Sequence, residues 1–311
     1  MYFIPYEGEG FMKIAIAGGT GFVGSKLADK LISEHHAVYI LTRNKEKAST
    51  TPHLHYVPWL TKGTTPEIEL DGVDAIINLA GTSIQNRWTA KNKRAIFDSR
   101  VAATKSIVHM IQKMKMPPKV LINGSAVGYY GTSETAVFTE DSPSQGDDFL
   151  AKTVKQWEHE AKKAEEYGVR TVFTRFGIVL GSDGGAFPMM KMPYKMGVGG
   201  TIGTGEQWVS WVHIEDVVNI LQFCINENIS GPVNVTSPQP VRMKTFGMEL
   251  GTSLNRPHWL KVPSPAIKGV LGEMSMLVLE GQKALPKKLE EHGYEFSHKE
   301  IREAFNTLKE R

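Results

Sequence analysis

Apolar residues along the first three quarters of the chain come in two alternating textures. Short unbroken runs at 14–17, 38–41, 74–81, 119–123, 170–175 and 232–236, with a weaker one at 53–59, have the length of strands buried on both faces. Between them lie stretches with helical spacing, among them Val23, Leu27 and Leu31 after the first run. The two longest span 89–114, stopped by Pro117 and Pro118, and 148–167, and a shorter one covers 215–226. Strand and helix alternate throughout, which predicts an α/β fold, a doubly wound and mostly parallel sheet.

The run at 14–17 delivers the chain into Gly18, Gly19, Thr20, Gly21, Phe22, Val23 and Gly24. In this spacing Gly18 permits a tight turn, Gly21 lets backbone approach a pyrophosphate, and Gly24 lets helix and strand pack closely. The phosphates then sit on a helix N-terminus, where free N–H groups and the dipole favour anions. These seven residues are therefore expected to bind a dinucleotide. At the end of the second strand stands Arg43, followed by Asn44 and Lys45, where NAD sites usually place an acid for the ribose 2′-hydroxyl. An arginine there can receive a 2′-phosphate, so NADP(H) is the expected cofactor. Leu79, Ala80 and Gly81 end the fourth strand with small residues that let the cofactor pass. Arg175, ending the sixth strand, is expected in the same cleft.

The fifth strand opens into Ser125, Tyr129 and Tyr130, residues placed for chemistry at the mouth of a central strand. Ser125 also reads as a strand-end turn residue, and one of the two tyrosines as a core aromatic. From Gly181 the texture changes. Glycines crowd the chain to Gly205, with Pro188 and Pro193 among them, which is the composition of a loop that closes on a ligand. The remainder reads as mostly helical, broken at Pro257, Pro263, Pro265 and Pro286. The expected organisation is an extension at 1–11, with Met12 as the natural start, a nucleotide domain at 12–181 rejoined by 213–236, and a substrate lobe from 182–212 and 237–311.

Composition narrows the function classes. Of 311 residues 41% are hydrophobic and 22% charged, with a net charge of +3 and basic residues interleaved with acidic ones, so nucleic acid is not implied. No apolar stretch approaches the roughly eighteen residues of a membrane span. The single cysteine, Cys224, reads as a core residue and allows no disulfide framework, consistent with a reducing, cytoplasmic setting. His35, His36, His53 and His55 have no metal-binding spacing and read as surface residues, so no metal is expected.

The stretches 18–24, 77–81 and 125–131, with Arg87-Trp88, Ser99-Arg100-Val101, Trp157-Glu158, Gly184-Gly185 and the run 210–216, carry a family resemblance. The chain resembles extended short-chain dehydrogenases/reductases of the NAD-dependent epimerase/dehydratase type, and within them an atypical, YfhF-like branch. The resemblance runs from Met12 to the C-terminus. It implies that Ser125 orients substrate, that Tyr130 lines the pocket and is the best-placed proton donor, and that Arg87, Arg100, Tyr129, Gly184, Gly185 and His213 border the substrate. It also implies a small polar or sugar-like substrate and a homodimer built on the two long helices. One departure stands out. Where the family carries Tyr-x-x-x-Lys, this helix offers Phe149 with Thr153, or Leu150 with Val154, and none of the nine tyrosines has lysine four residues on. Two functions therefore stay open, an NADP(H)-dependent oxidoreductase or epimerase, and an NADP(H)-binding sensor or scaffold without turnover.

Overall fold

The computed structural model describes residues 10–309 except 45, 48 and 50; the proposed extension up to residue 9 and Lys45 lie outside the described residues. Seven strands make one sheet: β1 (Lys13–Ala17), β2 (Ala37–Thr42), β3 (Leu54–Pro58), β4 (Ala75–Asn78), β5 (Val120–Ala126), β6 (Arg170–Phe176) and β7 (Gly231–Val235). Every neighbouring pair is parallel, and the order is β7-β6-β5-β4-β1-β2-β3. The chain therefore turns back between β1 and β4, the switch point at which doubly wound sheets bind ligands.

Alternation along β1 shows why the strands read as unbroken apolar runs. Ile14 and Ile16 pack with Leu27 and Leu31 of α1 (Phe22–Ser33). Ala15 and Ala17 face the other way, into the cluster that holds Ile107 and Ile111 of α2 (Ala90–Lys113). With both faces covered, Ile14 to Ala17 are apolar without a break. Each fully buried Ile or Leu contributes roughly 1.5–3 kcal/mol relative to exposure. Two more helices complete the layers, α3 (Phe149–Lys162) and α4 (Ile214–Asn226). Asp148 caps α3 by accepting the N–H groups of Leu150 and Ala151, and Cys224 of α4 is fully buried in the first cluster. Among the described residues no helix is long and apolar enough to cross a membrane.

Three local expectations need correction. The second long helix ends at Lys162, and residues Lys163–Tyr167 tighten into a 3-10 turn. The glycine-rich segment is not all loop. It holds a nine-residue helix, Phe187–Lys195, because Pro188 sits in the first turn, where a missing N–H costs nothing. His36 is buried, its Nδ1 accepting the Met12 N–H at 3.2 Å.

Register puts one polar row across the carboxyl edge of the sheet, with Ser125 of β5 beside Arg175 of β6 and Arg175 beside Asn234 of β7. Glu158 of α3 meets this row. Arg175 Nε and Nη2 each donate to its carboxylate at 2.8 Å, and Ser125 Oγ donates to it at 2.6 Å. Both members of the ion pair are buried. Burial pulls the Arg175 guanidinium down, but the Glu158 carboxylate and the Tyr130 hydroxyl together hold it above its ordinary value. Removing one partner leaves the other charged and dry. Glu158→Ala should therefore lower the unfolding free energy by about 3–5 kcal/mol, read from urea denaturation, and a loss under about 1 kcal/mol would contradict this account.

Candidate functional site

The turn after β1 is shaped by two glycines. Gly18 has φ of 80°, and a Cβ there would lie 2.7 Å from the Leu79 backbone. A Cβ on Gly24 would lie 2.3 Å from the Gly18 carbonyl oxygen, so only glycine lets α1 start this close to the strand. Gly21 caps α1 without a side-chain hydrogen bond, and the first turn holds no acid. Thr20 and Gly21 are exposed, so the helix N-terminus is open to an anion. Arg43 is exposed just past the end of β2, and no described carboxylate pairs with it.

Beyond the switch point the floor is built by residues the sequence did not mark. Asn78 at the end of β4 and Asn123 in the middle of β5, neighbours in register, are wholly buried, with Asn78 Nδ2 donating to Asn123 Oδ1 at 2.7 Å and to Thr104 Oγ1 at 2.9 Å. Asn78 Oδ1 accepts the Ala80 N–H at 3.2 Å, which ends the β4 ladder and turns Ala80 and Gly81 outward. An asparagine closing each apolar run was the available signal. Above this floor lies Arg100, whose Cζ is 3.1 Å from where a Gly81 Cβ would stand. Its Nη1 donates to the carbonyls of Thr82 and Ile96, and the guanidinium sits 5.2 Å from the Trp157 ring centroid. Burial lowers its pKa to about 10, which leaves it charged at neutral pH. Trp157 packs on Gly124, and its buried Nε1 has no described acceptor.

The expected catalytic pair is placed differently. Ser125 is 2% exposed, and its hydroxyl is spent on Glu158. Tyr130 is fully buried; its hydroxyl donates to Asn234 Oδ1 at 2.7 Å and accepts from Arg175 Nη1 at 3.0 Å. Burial pushes the Tyr130 phenol up to about 12. Both hydroxyls are engaged within a buried network, and the Arg175 guanidinium is shared by Glu158 and Tyr130 in the same network. Tyr129 is half-buried, with its ring 3.5 Å from the Arg175 guanidinium. Phe149 and Thr153 offer no replacement, because the Thr153 hydroxyl donates back to the Phe149 carbonyl at 2.7 Å.

Gly184 and Gly185 do lie at the cleft. Strand Ile178–Gly181 turns back through them, and Cβ atoms at Gly181 and Gly184 would meet the Phe22 ring at 2.4 and 2.3 Å. This hairpin therefore lies over the first turn of α1. Lys26 pairs with Asp183 at 2.7 Å, and Gln85 Nε2 donates to the Gly185 carbonyl at 2.9 Å, joining the loop after β4 to the hairpin. The later glycines are elsewhere, with Gly200–Ile202 paired to Leu260–Val262. Arg87 is exposed on the loop after β4. His213 is not in this cleft. It is 2% exposed, caps α4 through Nδ1, stacks on His298 at 3.8 Å, and lines a separate cavity of about 330 Å³ with Lys26, Lys30 and Thr307. His213, Glu215 and His298 bring their ligand-type atoms within 4.8 Å of one another there.

Residues 14–236 match the NAD dependent epimerase/dehydratase family, and residues 262–308 match a domain of unknown function, DUF1731. The chain is 48% identical over 298 residues to the epimerase family protein YfhF of Bacillus subtilis, covering 96% of this chain and 98% of that protein. The crystal structure of human epimerase family protein SDR39U1, isoform 2, with NADPH matches with a TM-score of 0.84 at 32% identity, over 96% of this chain and 99% of that one. A UDP-glucose 4-epimerase from Thermotoga maritima, solved with UDP-glucose, shares the fold at 16% identity and a TM-score of 0.75, over 96% of this chain and 98% of that one. Sequence and architecture agree, and the chain belongs to the NAD-dependent epimerase/dehydratase family, in the branch of YfhF and SDR39U1.

Proposed function

We propose that this chain binds NADPH across the ends of β1, β2 and β4 and is an oxidoreductase- or epimerase-type protein that has lost proton transfer at its usual position. The cofactor is supported by the open N-terminus of α1, by the exposed Arg43 and by the NADPH held in human SDR39U1. When bound, the reduced nicotinamide supplies hydride. The chain's own contribution is positional. The α1 N-terminus binds the pyrophosphate, Trp157 keeps a buried donor, and Arg100 supplies positive charge where an oxygen gains negative charge.

The observation that carries the reading is Phe149, packed edge-to-face on Trp88 at 5.5 Å where the family places its acid. A positioned acid contributes roughly 10²–10⁴-fold, and the hydroxyls of Ser125, Tyr130 and Thr153 are spent on protein partners. Arg100 retains its proton too firmly to replace it. Turnover of nucleotide sugars and simple carbonyl compounds is therefore weak. A sensor without turnover shares the cofactor site and is separated from this reading only by whether hydride leaves NADPH at all.

Two measurements test this. NADPH should bind about tenfold more tightly than NADH by nicotinamide fluorescence, the lower end for a charge-assisted contact because Arg43 is exposed, and Arg43→Ala should erase the preference. Equal affinities in the wild type would remove the 2′-phosphate assignment. In a screen following NADPH absorbance, Phe149→Tyr with Thr153→Lys should raise turnover by about tenfold or more, while Tyr130→Phe leaves it unchanged once folding is matched. Brisk epimerisation of UDP-glucose by the wild type would sink the reading.

A further inference from the structure

The sheet and its covering helices draw Arg100, Arg170 and Arg175 partly or wholly away from solvent, and two of the three are matched there. Arg175 gives the Nε and Nη2 edge of its guanidinium to the Glu158 carboxylate, with both bonds at 2.8 Å. Arg170 spends its terminal nitrogens on the carbonyls of Cys224, Ile225 and Ile229, at the end of α4 and just beyond it. Arg100 is different. Its Nη1 donates to the carbonyls of Thr82 and Ile96 at 3.0 and 3.1 Å, while among the described residues Nε and Nη2 have no acceptor and no carboxylate pairs with the group. Burial alone moves its pKa, and no neighbouring acid pulls it back. The unfilled edge carries two parallel N–H groups, the fork that takes a carboxylate or a phosphate two bonds at a time. A cation partly removed from water normally has its counter-charge beside it. Here the chain supplies none.

That edge is held in place and can be reached. The two carbonyl bonds keep the guanidinium against Gly81, where a Cβ would lie 3.1 Å from Cζ, and the Trp157 ring centroid is 5.2 Å from it. Trp157 keeps a second unfilled donor, its buried Nε1. Gly81, Thr82 and Ser83 are exposed, so the strand end on which Arg100 leans is open to solvent. It also borders the dinucleotide turn, since a Cβ on Gly18 would meet the backbone of Leu79, two residues before Gly81, at 2.7 Å. Lys93, two turns earlier on the same helix, is already paired with Glu273 at 2.6 Å. The anions of NADP(H) have partners of their own in the cofactor reading above, the pyrophosphate on the α1 N-terminus and the 2′-phosphate on Arg43. Arg100 is left for a third anion.

We propose that Arg100 holds a carboxylate of the substrate, both oxygens on its Nε and Nη2 edge, so that the compound bound beside the cofactor is an acid. The inference rests on the cofactor reading and names a substrate class for that same cleft, narrowing a small polar or sugar-like compound to one that carries a carboxylate. A ligand whose charge is permanent supplies the missing counter-charge as soon as it binds. A neutral analogue leaves the fork as empty as before.

The test is calorimetric titration of the full chain, with and without saturating NADP+, using pyruvate and glucuronate, each beside its neutral amide. At least one acid should bind about tenfold or more tightly than its amide. Arg100→Lys, which keeps the charge and loses the fork, should weaken that acid about tenfold and leave NADP+ affinity unchanged, which also reports an intact fold. Acids and amides that bind alike or not at all, or an Arg100→Lys protein that binds the acids as the wild type does, would overturn the proposal. Phosphate is the other group that fits the fork, and the cofactor itself tells the two sources apart. If Arg100→Lys weakens NADP+ about tenfold and saturating NADP+ abolishes acid binding to the wild type, the edge belongs to a cofactor phosphate and the proposal falls. If the wild type binds no NADP+ but distinguishes acid from amide through Arg100, the cofactor reading fails and the carboxylate site stands.

Discussion

One buried guanidinium organises the carboxyl edge of the sheet. Arg175 stands in register between Ser125 and Asn234 and is matched charge for charge by Glu158 from the covering helix. Asn234 extends the row, its N–H donating to Glu140 at 2.9 Å and its Nδ2 donating to the Leu285 carbonyl at 2.9 Å. Three strand ends, one helix and the chain near Leu285 are thereby fixed to a single charge. Burial raises the Glu140 carboxyl above its usual range, which is what a carboxyl placed near this dry row must accept. The network holds the serine and the tyrosine at the mouth of the central strand. Their hydroxyls complete a buried charge that would otherwise be unsatisfied.

The β-α-β alternation was legible because a strand covered on both faces is mostly apolar, as Ile14 to Ala17 show. The glycine-rich turn was legible for a similarly local reason, since Gly18 and Gly24 are demanded by contacts within a few residues or across one neighbouring strand. What stayed hidden depends on distance in sequence. Ser125 and Glu158 are 33 residues apart and Arg175 a further 17, and nothing along the chain states that they share one carboxylate. The helix Phe187–Lys195 was masked by prolines that read as breakers, although Pro188 falls in the first turn. His213 was placed in the cleft by resemblance, whereas its ring stacks on His298 and lines another cavity.

The cleft is divided into two physical regimes by the turn-back between β1 and β4. On the β1–β2 side the backbone presents N–H groups and small residues to charge. On the β4–β5 side, rings and aliphatic side chains exclude water, with Arg100 at the seam, near Gly81 and over Trp157. A guanidinium in such a place is worth more than on the surface, because little solvent is left to screen it.

The hairpin over α1 is fastened by weak means. Beside its packing on Phe22, its polar ties include the Lys26–Asp183 pair, with side chains 39% and 53% exposed, and the bond from Gln85 to the Gly185 carbonyl, also at the surface. Contacts of that kind contribute on the order of 1 kcal/mol together, against several for global unfolding. The groove can thus be uncovered by local opening alone, many times for each excursion of the whole fold. Ionic strength then becomes a kinetic variable, because salt that loosens the Lys26–Asp183 tie changes how often the groove is accessible while leaving the buried Arg175–Glu158 pair almost untouched.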